Sequence, residues 1–304
     1  MSMPRKGTLL IATALAAVGL FAAAARAENP ADNPTVVVAA GADPAFGLFD
    51  WLDHRSAYHD EFFPQPLMVD DTELEQDGEV EFSSLHTRAG GQRTDSVLVG
   101  GQKSFGLLTV ELSLPYESMT DAGDQAQGVG SINLGARYPF YQFVSAGGFF
   151  DTTFGAAVEM GLPVNSAVSM NTELTPKLFN DVKLGGHFAL QTVLGYSTLF
   201  GGGDNGGAQT FEYGLAFSYA VTRAQLPLPG VEQFIPLLEL TGETKLNPPG
   251  GGANSLLGSL GFRLNFMRLG EVSPSLGLGY VFPLDKAARA EVRWGLVTSL
   301  TLEF

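Results

Sequence analysis

The sequence predicts an all-β fold, a transmembrane antiparallel β-barrel of about twelve strands, and three observations carry that prediction. Apolar and polar residues alternate in long runs from Thr72 to the end of the chain. The composition is rich in glycine, 38 of 304 residues, and poor in charge at 16 %, against about 25 % for an ordinary soluble domain. Mean hydropathy is slightly positive, yet the only long apolar run, 9–25, lies at the extreme N-terminus. A chain that is apolar on average without a helical span crosses lipid as strands or is a large secreted β-protein.

Two absences narrow the function. With no cysteine, the chain holds no disulfide framework, thiolate metal site or cysteine nucleophile. With 17 basic against 32 acidic residues, a net charge of −15, it lacks the basic face of a nucleic-acid binder.

Residues 1–27 have the form of a secretory signal peptide. Arg5 and Lys6 precede an apolar stretch, and Ala25-Arg-Ala27 places small residues at the cleavage site. Cleavage removes Arg5, Lys6 and Arg26, taking 17 basic residues to 14 against an unchanged 32 acidic. Residues 28–71 form a periplasmic leader, partly disordered. Asp43-Pro44 is a helix start, and Phe46, Leu48, Phe49, Trp51, Leu52 and Tyr58 predict a short amphipathic helix near 44–58. His54 and His59 sit beside Asp53, Asp60 and Glu61, but a spacing of five is poor for one helix face, and no metal or other cofactor is expected.

Residues 72–304 form the barrel. Strands are placed near 73–88, 94–104, 107–117, 129–141, 149–162, 172–185, 187–200, 209–222, 233–246, 254–267, 272–284 and 288–304. One face of each is Leu, Val, Phe and Tyr; the other is Gly, Ser, Thr, Asn and paired charges, as suits a confined lumen. Tyr116, Tyr138, Phe140, Phe188, Tyr196, Phe200, Phe211 and Tyr280 lie toward strand ends, where interfacial girdles form. Connections alternate in length: 103–106, 185–186 and 268–270 are short, and 118–128, 163–171, 201–208 and 247–253 are longer. Short turns belong to the periplasmic side. The stretches 141–148 and 223–232 break that rule.

The last strand runs Trp294-Gly-Leu-Val-Thr-Ser-Leu-Thr-Leu-Glu-Phe304, with Trp294, Leu296, Leu300, Leu302 and Phe304 on one face. This resembles the terminal signal of Gram-negative outer-membrane proteins. The resemblance implies export to the outer membrane, with outer-membrane lipid and the barrel-assembly machinery as partners and Trp294, Leu300, Leu302 and Phe304 as the assembly signal. The strings Glu79-Val-Glu-Phe-Ser-Ser-Leu-His-Thr-Arg88, Arg93-Thr-Asp95 and Val110-Glu-Leu-Ser-Leu-Pro-Tyr116 are similar to the meta-pathway phenol-degradation type of outer-membrane protein. That likeness covers the first three strands and implies a channel or transporter.

Alternation points Glu79, Glu81, Glu111, Asp151, Glu159, Glu173, Asp181, Glu212, Glu239, Glu243, Glu291 and Glu303 inward, with Arg137, Lys177, Lys183, Lys245, Arg263, Arg289 and Arg293. Buried charges need partners, so most of these should be paired. The surplus of acids favours cations along any open path. The expected function is passive passage of small solutes or ions through a porin-like channel. The alternatives are a closed barrel that binds a partner through its loops or leader, and an outer-membrane hydrolase. His86, near Ser83 and Ser84, and His187 are the histidines available to an enzyme, and no hydrolase motif surrounds either, so the chain is read as a non-enzyme.

Overall fold

The computed structural model describes residues 64–70, 72 and 78–303, apart from 90–91, 106–107, 122–123, 146–148, 167, 202–205, 248–250 and 271. The signal peptide, the helix expected near 44–58, His54, His59 and Phe304 lie outside the described residues.

Fourteen strand segments form one antiparallel sheet: β1 (Gly78–Ala89), β2 (Gln92–Phe105), β3 (Leu108–Asp121), β4 (Asp124–Val129), β5 (Ser131–Val144), β6 (Phe150–Pro163), β7 (Thr172–Leu184), β8 (Phe188–Phe200), β9 (Gln209–Tyr219), β10 (Val221–Thr222), β11 (Val231–Lys245), β12 (Asn254–Phe266), β13 (Ser273–Pro283) and β14 (Trp294–Glu303). β4 leads into β5 across Gly130, and β9 into β10 across Ala220, so the wall has 12 strands. β1 pairs with β14 from Glu79↔Glu303 to Arg88↔Trp294, which closes the sheet on itself. Closure satisfies the edge amides that an open sheet would leave bare in lipid.

The alternation sorts the two faces. Val97, Val99, Leu112, Leu114, Leu178, Leu260, Leu278 and Leu300 are exposed outward, while Thr109, Asp151, Asp181, Glu239, Arg263 and Thr301 are buried inside. That inverts a water-soluble protein: the apolar belt is a surface solvated by lipid, and the charges share a narrow interior. Among the described residues no helix is long and apolar enough to cross a membrane. Ring contacts gather at both rims, with Tyr141–Phe154, Phe143–Phe150 and Phe188–Tyr219 at one and Phe211–Tyr213 and Tyr280–Phe282 at the other.

Three local readings are corrected. The last strand, expected from 288, starts at Trp294, because Lys286–Glu291 is a helix, α1. Asp285 caps it by accepting the Ala288 amide at 2.8 Å, and alanine-rich Lys-Ala-Ala-Arg-Ala-Glu favours helix over strand. β5 runs on through a bulge between Pro139 and Tyr141 to Val144, so the first half of the connection expected at 141–148 is strand. The loop expected at 118–128 is largely a ribbon, with β4 paired to β3 from Tyr116↔Val129 to Asp121↔Asp124. The long stretch after β10 remains, turned by the Gln225 and Leu226 amides on the Thr222 carbonyl.

Candidate functional site

Pro64-Gln-Pro-Leu-Met-Val-Asp70 cannot form a helix, since two prolines remove amide donors and fix an extended backbone. Such a segment needs outside partners for its remaining polar groups, and it finds them on opposite walls of the barrel. Gln65 Nε2 donates to Glu79 Oε1 at 2.8 Å on β1, and Thr301 Oγ1 of β14 donates to Gln65 Oε1 at 2.9 Å. At the other end Thr72 Oγ1 donates to Asp181 Oδ1 of β7 at 2.5 Å and accepts from Gln191 Nε2 of β8 at 3.1 Å. A segment that touches β1 and β14 at one end and β7 and β8 at the other reaches both only from inside. Gln65, Val69 and Thr72 are accordingly buried. The sequence reading placed 28–71 in the periplasm; residues 64–70 instead cross the lumen.

Glu239 of β11, fully buried, pins the middle of the segment. Its Oε1 accepts the Leu67 amide at 2.7 Å, the Met68 amide at 3.0 Å and the Val69 amide at 3.5 Å. Its Oε2 accepts the Ser259 hydroxyl at 2.5 Å. Converging donors stabilise a buried carboxylate that would otherwise be costly. Arg263 Nη2 donates to the Pro66 carbonyl at 3.1 Å, and its Nη1 binds Ser275 at 2.8 Å and Thr301 at 3.1 Å. Lys177 bridges segment to wall, 2.8 Å from Asp70 Oδ2 and 2.5 Å from Glu159 Oε1.

Apolar packing completes the seat. Val69 joins Phe179, Val193 and Ala216 in a small buried cluster. Its side chain fills the space over Gly214, where a Cβ would lie 2.8 Å from Val69 Cγ1, and Leu67 lies over Gly277, where a Cβ would collide with Leu67 Cδ2. Glycine is what lets the segment approach the wall this closely.

The segment borders two cavities. One, of about 290 Å³, is lined by Met68, Val69, Asp70, Glu212, Glu243 and Glu291 among others. The second, of about 300 Å³, is lined by residues 65–70 with Glu79, Glu81 and Glu111. The remaining charges sit as follows. Arg137, buried, pairs with Glu111 at 3.2 Å and donates to Gln102 at 2.6 Å. Asp151 is buried opposite Lys183 in the β6–β7 register. Glu173 accepts from Ser197 across to β8. Glu291 lies on α1 rather than on a strand and accepts from Ser255 at 3.1 Å. Arg293 is exposed at the rim, away from the segment.

The luminal contacts use residues that the sequence reading did not select: Gln65, Thr72, Gln102, Gln191 and Ser259. Gln65 sits between Pro64 and Pro66 and Thr72 directly follows the leader, and no alternation marks either. Gln191 and Ser259 fall on inward positions, where alternation could have found them.

His86 is not part of the lumen. On the outer face its Nδ1 contacts Asp95 and its ring lies 5.7 Å from Trp294. Ser84 on that same face pairs with Thr298 Oγ1 at 2.7 Å rather than with His86, so a nucleophile–base contact is missing there. His187 binds the Ala220 carbonyl through Nδ1 at 2.8 Å. Among the described residues no group of three or more His, Asp or Glu is placed to hold a metal ion.

No family model matches the sequence, and no curated protein does. Solved structures do share the fold. The COG4313 outer membrane channel from Pseudomonas putida F1 is 17 % identical, with a TM-score of 0.52 over 78 % of this chain and 100 % of that one. The NanC porin is 9 % identical, with a TM-score of 0.44 over 74 % of this chain and 98 % of that one. At 17 % identity the likeness to the first of these is one of fold: a closed twelve-stranded barrel of outer-membrane type.

Proposed function

We propose that this chain is an outer-membrane channel for small solutes or ions whose conductance is set by the segment at 64–72. The observation that supports it is the seat of that segment: Glu239, Arg263 and Lys177 hold it across the lumen, with a cavity on either side. A wall built to be a solid core would fill those spaces with side chains.

The cavity linings carry the selectivity. Glu212, Glu243 and Glu291 face one and Glu79, Glu81 and Glu111 the other, so passage favours cations. Lipid solvates the apolar belt, and the alternating last strand, with Trp294, Leu300 and Leu302 on one face, suits recognition by the assembly machinery. The shared fold with an outer membrane channel fits this reading. So does the similarity of the first three strands to the meta-pathway phenol-degradation type.

The test is conductance of the refolded mature chain in a planar bilayer, with the reversal potential under a salt gradient. Cation-selective steps are expected, and E212Q/E243Q should move the reversal potential toward zero. An unchanged reversal potential in that variant would remove the selectivity assignment.

A further inference from the structure

The outward face of β1, β2 and β14 carries a basic corner that the channel reading leaves unused. Register sets His86 opposite Asp95, and Arg88 opposite both Arg93 and Trp294. All five share the outward face with Phe82, Val97 and Leu296, at the strand ends away from the two termini. Two arginines directly opposed across a strand pair destabilise a sheet. Asp95 relieves only part of this, by its contacts to Arg93 Nε and His86 Nδ1. Just past the strand ends Lys286, Arg289 and Arg293 are exposed, and the Arg293 amide donates to the Arg88 carbonyl at 2.5 Å, tying that connection to β1.

Two arginines thus face each other on the outward side of a chain with a net charge of −15, joined at their strand end by a connection that carries three more exposed bases. The acids beside them are engaged. Asp285 caps α1 and accepts from Asn254, and Glu291 accepts from Ser255. A local rule broken with only partial compensation inside the chain marks a site for something outside it.

We propose that this corner binds the phosphorylated headgroup of the outer-leaflet lipid, lipopolysaccharide. The proposal rests on the outer-membrane reading, which puts these strand ends at the extracellular interface. Guanidinium groups hold phosphate oxygens bidentately. Trp294 adds the amphipathic ring favoured at headgroup level. The lipid is the fitting source of phosphate because the arginines stand at the edge of the apolar belt, where acyl chains and headgroup meet.

The experiment measures lipid retention by native mass spectrometry on the refolded mature chain. The probes are purified lipopolysaccharide, its dephosphorylated form and inorganic phosphate. R88Q/R93Q tests the corner, and R223Q/R268Q, at the opposite rim, is the control. Phosphorylated lipid should stay bound to the unaltered chain and to the control. Retention should fall by about tenfold or more in R88Q/R93Q, as for the loss of a charge-assisted contact, and similarly with dephosphorylated lipid. Equal retention by R88Q/R93Q, or equal retention of the dephosphorylated lipid, would overturn the proposal. Complete displacement by millimolar phosphate would overturn the lipid source and leave only an anion site. Should R88Q/R93Q fail to fold, the paired lipids on the unaltered chain decide the matter. Because conductance is not the readout, a silent channel would count against the function proposed above and not against this site.

Discussion

Glu239 shows how much of the luminal arrangement can hang on one side chain. Three successive amides of the segment converge on its Oε1, and no water competes at a fully buried position. Truncation to alanine leaves those donors unmet, at a cost on the order of 3 kcal/mol. Glu239→Ala should therefore speed hydrogen exchange at Leu67, Met68 and Val69 by roughly a hundredfold and enlarge the conductance step. Glu239→Gln, which keeps one acceptor, should fall between. Gly214→Val tests the same seat without touching a charge. Its Cβ would meet Val69 Cγ1 at 2.8 Å, so the segment must shift, and the step should grow while ion selectivity stays as it was. At this scale the sequence told which face Glu239, Arg263 and Lys177 occupy, because alternation fixes direction. It could not tell what they hold. Their partners Leu67, Pro66 and Asp70 lie more than a hundred residues away, and a backbone amide leaves no mark in sequence.

Secondary-structure elements were the most legible level, for a physical reason. Each strand must be apolar toward lipid and polar toward the lumen, so period two is enforced along its whole length. Strands read at 172–185, 209–222 and 254–267 lie close to Thr172–Leu184, Gln209–Thr222 and Asn254–Phe266. The readings failed where lipid no longer imposes that period. α1 lies past the end of β13, and there local capping by Asp285 decides the structure. Asp285→Ala should cost about 1 kcal/mol of helix stability and raise exchange at the Ala288 amide, leaving the strand amides of β12 and β13 unaffected. At β5 the bulge after Pro139 carries aromatic residues Tyr141 and Phe143 onward to the rim, and an extra residue in a strand disguises itself as the start of a turn.

The whole molecule is a closed wall around a filled middle. Closure of β1 on β14 follows from even strand number and the cost of bare edges in lipid. The path of the segment across the lumen was not legible, because a leader rich in proline reads alike whether it lies in the periplasm or inside the barrel. On the proposed function, control of conductance rests with residues 64–72. It is tested most directly by single-channel recording of the mature chain beside a chain lacking 28–71, both shown to be folded barrels and both under one salt gradient. The expected result is small cation-selective steps that become several-fold larger on deletion. Steps of equal size in the two chains, or silence in both, would contradict it.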